Sequence, residues 1–292
     1  MTYRSIFMAP DWMHARYLGW QDDWPDAQMR VLTQRRAGLR RSLVVSEIDD
    51  PAAVAPHWRR ITGGTPFDEV CFHDLTGSPA MANWLRGRGF VPLDARTRML
   101  NVATLAIDLT QDEDALLARM AANTRRNIKR ARAAGVVIRA DAHHDDALIA
   151  RFVATFNAMA AERELQPVSP VTVRAMIAGG HSRLFATFVD GESGSFLLSY
   201  EAAGTALLAT SAAAARERDG GGHLLHWEAL RAFRASGLRW CDMAGIASTD
   251  ASDGIFQFKR GFGGDIVDLG REYGRSGIAV RAVRALRDRW RG

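Results

Sequence analysis

Hydrophobic residues in the first third of the chain come in short runs, separated by segments with helical features. The runs 42–48, 67–75 and 98–109 are rich in apolar and β-branched residues and predict three strands. Helix-starting signals lie between them, since Pro51 opens one predicted helix and Ser78-Pro79 opens another. Strand and helix therefore alternate, which predicts a layered α/β domain.

A long amphipathic segment follows. Thr110 and Glu113 have the spacing of a capping box, and apolar positions recur at helical intervals as far as Gly135, a typical C-terminal stop. The pattern predicts a single helix of roughly 24 residues.

The second half of the chain contains the pattern of an antiparallel meander. Three apolar runs are separated by Asp190-Gly191 and by Gly204, which are typical hairpin signals. Three glycines at 220–222 then precede a helix with an apolar inner side. Further predicted elements are a strand at 136–140, helices at 145–164 and from Pro170, a strand at 238–246 and a basic amphipathic helix over 277–292.

The composition is that of an ordinary folded protein, with 292 residues, 47% of them hydrophobic, and 38 basic against 33 acidic side chains. These values exclude wholesale disorder and collagen-like repeats. Two cysteines, Cys71 and Cys241, exclude a disulfide framework. Because the N-terminus is unlike a signal peptide and no apolar run reaches ~20 residues, we expect a cytoplasmic protein.

The basic charge is concentrated on one predicted helix. Arg125, Arg126, Lys129 and Arg130 lie within 123–132 without an interleaved acid. This cluster predicts a surface for the phosphates of tRNA or of a nucleotide-linked acceptor. The alternative is a solvated helix face whose charges suit the helix C-terminus.

Gly220, Gly221 and Gly222 form a second candidate anion site. Glycines before a helix leave backbone N–H groups uncovered at the positive end of the helix dipole, which favours phosphate or carboxylate. The alternative is a flexible turn between strand and helix.

Three segments carry a family resemblance. They are NTRRNIKRARAAGV (123–136), WCDMAG (240–245) and DGIFQFKRGFGGD (253–265). Together they resemble the FemX/FemAB group of peptidoglycan-bridge transferases and their GNAT relatives with a BioF2-like domain. The glycine loop also resembles the GNAT acyl-CoA loop, R/Q-x-x-G-x-G/A, with Arg218, Gly221 and His223 at its three positions, the last of which departs from the pattern.

The resemblance implies an α/β protein with a GNAT-like mixed sheet and helices on both faces. It implies two GNAT-like domains, of which the first is reduced. We expect residues 1–134, including the basic linking helix, to form the N-terminal domain and 135–292 to form the C-terminal acyltransferase domain.

The resemblance also implies roles for single residues. In FemX-type enzymes the lysine of a Phe-Lys motif lies at the reaction centre near the tRNA terminus, which corresponds to Phe258 and Lys259 here. A fixed ammonium stabilises the oxyanion of ester aminolysis, and an aromatic ring stacks on a terminal base. The alternatives are core packing for Phe258 and a plain surface position for Lys259, although it is one of only two lysines.

Asp242 is a second candidate catalytic residue. It ends a predicted strand, and strand ends line the active sites of open α/β sheets. It would orient the acceptor amine or Lys259, or accept a proton; the alternative is a carboxylate that caps the following turn. The candidate donor-binding set is Phe258, Arg218, Gly220, Gly221, Gly222 and His223.

The predicted function is an N-acyltransferase that moves an aminoacyl group from aminoacyl-tRNA to an amine on a small molecule, a peptide or a peptidoglycan precursor. One alternative is the same fold with acyl-CoA as the donor. Another is a non-catalytic protein that keeps the GNAT shape to bind a nucleotide or RNA. We expect no cofactor and no DNA partner.

Two weaker patterns point elsewhere. The run His143-His144-Asp145-Asp146 and the pair His223 and His226 look metal-like, but adjacent loop residues rarely converge and the pair lacks a third ligand, so we expect no metal.

The tail helix over 277–292 has two possible roles. It either contacts an anionic membrane or packs on the protein. In the second case its packing residues are Ile278, Val280, Val283, Leu286 and Trp290.

Overall fold

The computed structural model describes residues 3, 5–9, 20–94, 97–98, 101–141, 145–163, 165–213 and 220–291. They form two compact units. The seven-stranded unit comprises Met1–Leu18 and Thr104–Val267, and the six-stranded unit comprises Gly19–Ala103 and Asp268–Gly292. These limits differ from the predicted division after residue 134, because the basic helix packs within the seven-stranded unit and a late strand pairs within the other.

The six-stranded sheet begins with an antiparallel meander that continues into a parallel strand. Its order is β1-β2-β3-β4-β13-β5, with β3 and β4 parallel and the other neighbours antiparallel. The strands are β1 (Gln21–Asp26), β2 (Met29–Arg36), β3 (Leu39–Ser46), β4 (Asp68–Asp74), β5 (Val91–Pro92) and β13 (Arg271–Ser276).

Helices cover one face of this sheet through a single apolar core. Val44, Phe72 and Tyr273 from the strands pack with Val54 and Leu85 from the helices. The helices are α1 (Pro51–Val54), α2 (Trp58–Thr62) and α3 (Pro79–Arg86), with a 3-10 turn at Ala55–His57. The predicted strands and helices of this region are present, while β1, β2, β5 and β13 are additional.

The seven-stranded sheet contains the predicted meander at its centre. Its order is β12-β6-β11-β10-β9-β8-β7, with β8, β9 and β10 antiparallel. The strands are β6 (Ala103–Asp108), β7 (Val137–Asp141), β8 (Leu184–Val189), β9 (Glu192–Ala202), β10 (Thr205–Ala213), β11 (Trp240–Ile246) and β12 (Asp265–Asp268). The helices are α4 (Glu113–Arg119), α5 (Ala122–Ala133), α6 (Asp146–Glu162), α7 (Pro170–Ala178), α8 (Gly221–Ala235) and α9 (Gly254–Arg260).

Helices pack on both faces of this sheet. Phe196 of β9 contacts Phe152 of α6, whereas Phe185 of β8 contacts Phe233 of α8. Phe185 pairs with Leu197, the neighbour of Phe196, so the two phenylalanines point to opposite faces. The predicted mixed sheet with helices on both sides is confirmed.

The prediction of one long helix from Thr110 to Gly135 is wrong. The segment is two helices, because Met120 is extended at φ −71° and ψ 146° between α4 and α5. Asp112 caps α4 in place of Thr110, by accepting a hydrogen bond from the Ala115 N–H at 2.7 Å. The break is fixed from outside, since the Ala121 N–H donates to the Gly261 carbonyl at 2.9 Å.

The last helix, α10 (Ile278–Arg291), contains the tail residues. Ile278, Val283 and Leu286 are 69%, 64% and 57% exposed, so these three residues do not pack on the protein as the second of the two alternatives requires. Among the described residues, no helix has both the length and the apolar character that crossing a membrane requires.

Candidate active site

The sheet forks where β10 and β11 part. These parallel strands pair only through Thr205–Leu207 and Trp240–Asp242 among the described residues, although both continue further. The pairing of β10 with β9 is irregular at the same level, between Leu207 and Thr210. A bulge that coincides with the end of pairing turns the strand away from its neighbour. The carboxyl-terminal halves of β10 and β11 therefore border a fork.

Asp242 lies at this fork, and its carboxylate is enclosed. Its side chain is 1% exposed and accepts hydrogen bonds from the Tyr3 hydroxyl, the Thr104 hydroxyl and, at 2.8 Å, the Ala244 N–H. Burial raises the pKa of Asp242, while the hydrogen bonds from Thr104 and Tyr3 oppose that rise. The bond to Ala244 is the predicted turn cap, and it stabilises a left-handed residue at φ 62°.

Lys259 reaches the same stretch of β11 from α9. Its ammonium donates to the carbonyl oxygens of Ala244 at 3.1 Å and Gly245 at 2.9 Å. Burial lowers the pKa of Lys259 to about 8, and the charges of Asp242 and Asp253 limit the fall. Since an ammonium has three N–H donors, two carbonyl bonds leave one donor for a further acceptor.

Phe258 and Lys259 lie on α9, where Asp253 caps the first turn by accepting from the Phe256 N–H at 2.8 Å. The glycines follow the helix, and Gly263 adopts φ +83°. Because consecutive helical residues point in different directions, Lys259 faces β11 while Phe258 faces α8.

Phe258 joins an aromatic cluster beside the glycine loop. Its ring centroid is 4.9 Å from that of His223 and 5.0 Å from that of His226, both in edge-on geometry. His226 is buried, and burial lowers its pKa to about 4. It is therefore neutral near pH 7, with its proton on Nδ1, which lies 2.8 Å from the Gly222 carbonyl. Phe258 and His223 are only half-buried and leave ring surface for a ligand.

The structure requires glycine at one position of the loop but not at another. Gly220 adopts φ +88°, and a β-carbon there would collide with the carbonyl of Asn127 on α5. A β-carbon on Gly222 would meet nothing within 4 Å, although this residue lies in the first turn of α8. The fold therefore requires glycine at 220 but leaves open space at 222.

The basic helix α5 packs directly beside this loop. Asn127 contacts Gly220, and its side-chain nitrogen lies 3.4 Å from the His223 ring nitrogen. Lys129 and Arg130 are exposed. The positive charge of Arg130 adds to burial in lowering the pKa of His223, which places that arginine near the loop.

Two arginines of the predicted phosphate surface, Arg125 and Arg126, form hydrogen bonds within α4 and α5. Arg125 donates to the carbonyls of Leu117, at 3.2 Å, and Met120, and so holds the joint between α4 and α5. Arg126 donates to Asn123 at 2.7 Å while remaining exposed. Arg218, the remaining predicted donor-binding residue, lies outside the described residues.

Several residues that complete the site carried no signal in the sequence. Tyr3 and Thr104 surround Asp242 from positions far away in the chain, and Asn127 supports the glycine loop. Within the described ranges, no group of three His, Cys, Asp or Glu side chains is placed to hold a metal ion. His143 and His144 lie outside those ranges.

The arrangement has a candidate reaction end and a candidate anion end. Lys259 and Asp242 lie at the fork, while α8 begins at Gly221 with Arg130 nearby. The edge-on contact of Phe258 with His223 connects the two ends. Such a site suits an acyl donor with a phosphate group, an arrangement that allows acyl transfer without a protein nucleophile.

Comparisons with known proteins agree with this description. The family described as an acetyltransferase (GNAT) domain matches residues 118–260, which contain α5, the fork, the glycine loop and Lys259. No curated protein matches the sequence.

Solved structures share the fold over most of the chain. FemX is similar over 92% of this chain and 92% of its own, with a TM-score of 0.70 and 12% identity. The C-terminal domain (DUF2156) of a protein described as a lysylphosphatidylglycerol synthetase from Agrobacterium fabrum is similar over 96% and 92%, with a TM-score of 0.61 and 11% identity. A tandem GNAT protein from the clavulanic acid biosynthesis pathway is similar over 86% and 79%, with a TM-score of 0.57 and 13% identity.

The identities are low, so these structures show the fold of the chain, while the family match describes the domain class of residues 118–260. Residues 118–260 thus match the acetyltransferase (GNAT) domain family, and the fold of the chain is similar to that of FemX.

Proposed function

We propose that this protein transfers an aminoacyl group from aminoacyl-tRNA to an amine and forms an amide. The observation that carries the proposal is the position of Lys259, whose half-buried ammonium is held on two carbonyls of β11 at the sheet fork. The acceptor is a small molecule, a peptide or a peptidoglycan precursor.

The surroundings of the fork support a phosphate-rich donor. The start of α8 offers backbone N–H groups, and α5 adds the exposed cations Lys129 and Arg130 on a helix that packs against the loop. The half-exposed ring of Phe258 offers a stacking surface for a terminal base. The likeness to FemX and to the domain from a lysylphosphatidylglycerol synthetase is consistent with an aminoacyl donor.

The chemistry assigned to Lys259 follows from its charge and its pKa. The acceptor amine attacks the ester carbonyl, a C–N bond forms, and the carbonyl oxygen becomes an oxyanion. The Lys259 ammonium stabilises that charge with its remaining donor. When the intermediate collapses, the C–O bond to the ribose breaks and the leaving oxygen takes a proton from Lys259, which the attacking nitrogen replaces.

Asp242 supports this chemistry from the interior. Its enclosed carboxylate has no face toward solvent, so we assign it the positioning of β11 and the tuning of Lys259 rather than contact with the acceptor. Its charge raises the pKa of Lys259 and keeps the ammonium protonated near neutral pH.

The second candidate is an acyltransferase that uses acyl-CoA. The observation that favours it is the fork itself, together with the open space over Gly222 at the start of α8, which suits a linear donor ending in a pyrophosphate. In this case the same Lys259 would stabilise the oxyanion of thioester aminolysis.

One assay distinguishes the donors. The purified chain is incubated with total aminoacyl-tRNA or with acetyl-CoA and a mixture of amines, and the products are identified by mass spectrometry. Amide formation that depends on charged tRNA and is abolished by ribonuclease is the expected result. Products formed only with acetyl-CoA would reverse the order of the two candidates.

A further inference from the structure

The last helix begins at a fixed point on the six-stranded unit. The Gly277 N–H donates to the Asp68 carbonyl at 2.7 Å, and the Ala279 N–H donates to the Pro66 carbonyl at 3.1 Å. A β-carbon at residue 277 would collide with the Pro66 carbonyl, so glycine allows α10 to start close to β4. The first turn of α10 is therefore held against its unit.

The following turns present an apolar face to solvent. Ile278, Val283 and Leu286 are all more than half exposed. At helical spacing these three positions fall within about 140° of one another around the axis. A terminal helix that packed on its own protein would bury such a face.

The rest of the helix is strongly basic. In sequence, 278–291 contains five arginines and one acid, Asp288, and the side chain of Arg281 is exposed. A basic helix with an apolar face is typical of a segment that lies in the surface of an anionic bilayer.

The adjoining end of the six-stranded sheet also exposes basic and apolar side chains. Arg40 of β3 pairs with Asp68 of β4, so the β2–β3 turn lies at the same end of the sheet as the start of α10. Arg35 and Arg36 at the end of β2, just before this turn, are exposed, and Phe67 nearby is 52% exposed. The basic and apolar surface thus extends from α10 onto the sheet.

We propose that α10 and this end of the six-stranded sheet bind the surface of an anionic phospholipid bilayer. Ile278, Val283 and Leu286 enter the boundary of the acyl chains, and the exposed side chains of Arg35, Arg36 and Arg281 lie at the phosphates. RNA would neutralise the arginines but offers nothing to the exposed aliphatic side chains, so a bilayer fits both features.

Sedimentation with vesicles tests this proposal on the full chain. We expect binding to phosphatidylserine-containing vesicles, at least about tenfold weaker binding to pure phosphatidylcholine, and loss of binding in high salt. The double variant Val283→Gln, Leu286→Gln is expected to weaken the binding by at least about tenfold. Arg281→Gln is expected to weaken it about threefold to fivefold.

Val171 supplies the matched control, because it is 66% exposed on α7 of the other unit. Val171→Gln should leave vesicle binding unchanged, and circular dichroism should show that all variants are folded.

Several outcomes would contradict the proposal. Equal binding to both lipids, or a double variant that binds like the original chain, would overturn it. Light scattering that shows a dimer without vesicles, dissociated by the double variant, would assign the surface to a second copy of the chain. Loss of tRNA binding in that variant without a change in vesicle binding would assign it to RNA.

Discussion

The ammonium nitrogen of Lys259 lies 2.9 Å from the carbonyl oxygen of Gly245, on the part of β11 that has left its partner strand. The pairing of β10 with β11 ends before this stretch, so among the described residues it forms no ladder with β10. Lys259 donates hydrogen bonds to two of its carbonyls. The charge that the proposed reaction needs is thus held by two backbone carbonyls of β11.

Replacement of Lys259 by methionine should separate stability from activity. Burial disfavours the charged ammonium, as its lowered pKa of about 8 indicates, and methionine fills similar space without that cost. Methionine also removes the two hydrogen bonds to the Ala244 and Gly245 carbonyls, so the two effects oppose each other. We expect the free energy of unfolding to change by no more than ~1 kcal/mol, with kcat reduced at least about a hundredfold. Urea denaturation and the transfer assay measure the two effects. A folded variant with full activity would remove the role assigned to this residue.

The pH dependence of transfer provides a second test of Lys259. The reaction needs a protonated Lys259, so kcat should fall as the pH rises through about 8. We call this decrease of kcat at high pH the falling limb of the kcat profile. In Lys259→Arg the guanidinium remains protonated, so the falling limb should disappear below pH ~10, even though kcat itself is lower. Initial rates corrected for spontaneous ester hydrolysis measure this. A limb that stays near pH 8 in the arginine variant would assign it to another group.

Two glycines of the loop should respond in opposite ways to alanine. Gly222→Ala meets open space in a helical turn, so stability should rise by ~0.5–1 kcal/mol while the KM for the donor rises about tenfold. Gly220→Ala forces a left-handed conformation and a collision with Asn127, and should cost at least ~2 kcal/mol. Thermal denaturation and donor KM values distinguish the two.

Gly254 offers the control for the first of these variants. It begins α9, and a β-carbon on it also meets nothing within 4 Å. Gly254→Ala should leave the donor KM unchanged. An equal rise in KM for Gly254→Ala and Gly222→Ala would show that the effect at 222 does not come from the donor.

The local patterns of the chain predicted most of the elements around the site. The meander predicted from Asp190-Gly191 and Gly204 is present as β8, β9 and β10. The helix predicted after the three glycines is present as α8. These features depend on short-range turn chemistry and periodicity, which a single sequence contains.

The features that the sequence did not predict depend on contacts between residues far apart in the chain. The helix break at Met120 depends on Ala121 meeting Gly261, and Asp242 is enclosed by Tyr3 from the other end of the chain. The strand β13 pairs with β4 across roughly two hundred residues. No local pattern encodes such partners, so the enclosure of Asp242 and the end of β10–β11 pairing appear only in the fold.

Two arginines of α5 that look alike in sequence should behave differently. Arg125 holds carbonyls at the α4–α5 joint, so Arg125→Gln should cost ~1–2 kcal/mol of stability and leave the donor KM unchanged. Arg130 lies near the glycine loop, so Arg130→Gln should raise the donor KM about threefold to tenfold and reduce its salt dependence. The opposite assignment of the two effects would contradict the proposed anion end.

Asp242→Asn tests whether the buried carboxylate acts through Lys259. The substitution removes the negative charge that raises the pKa of Lys259, so the falling limb of the kcat profile should move from about pH 8 to a lower pH. The amide still accepts the Ala244 N–H but provides one oxygen for the donors that surround it, so we also expect a loss of ~1–3 kcal/mol of stability. Tyr3→Phe is the control, because it removes one hydrogen bond to Asp242 while keeping the charge, and its limb should stay near that of the original chain. A purely structural Asp242 would lower the stability in Asp242→Asn without moving the limb, and that result would withdraw the carboxylate from the chemistry of the site.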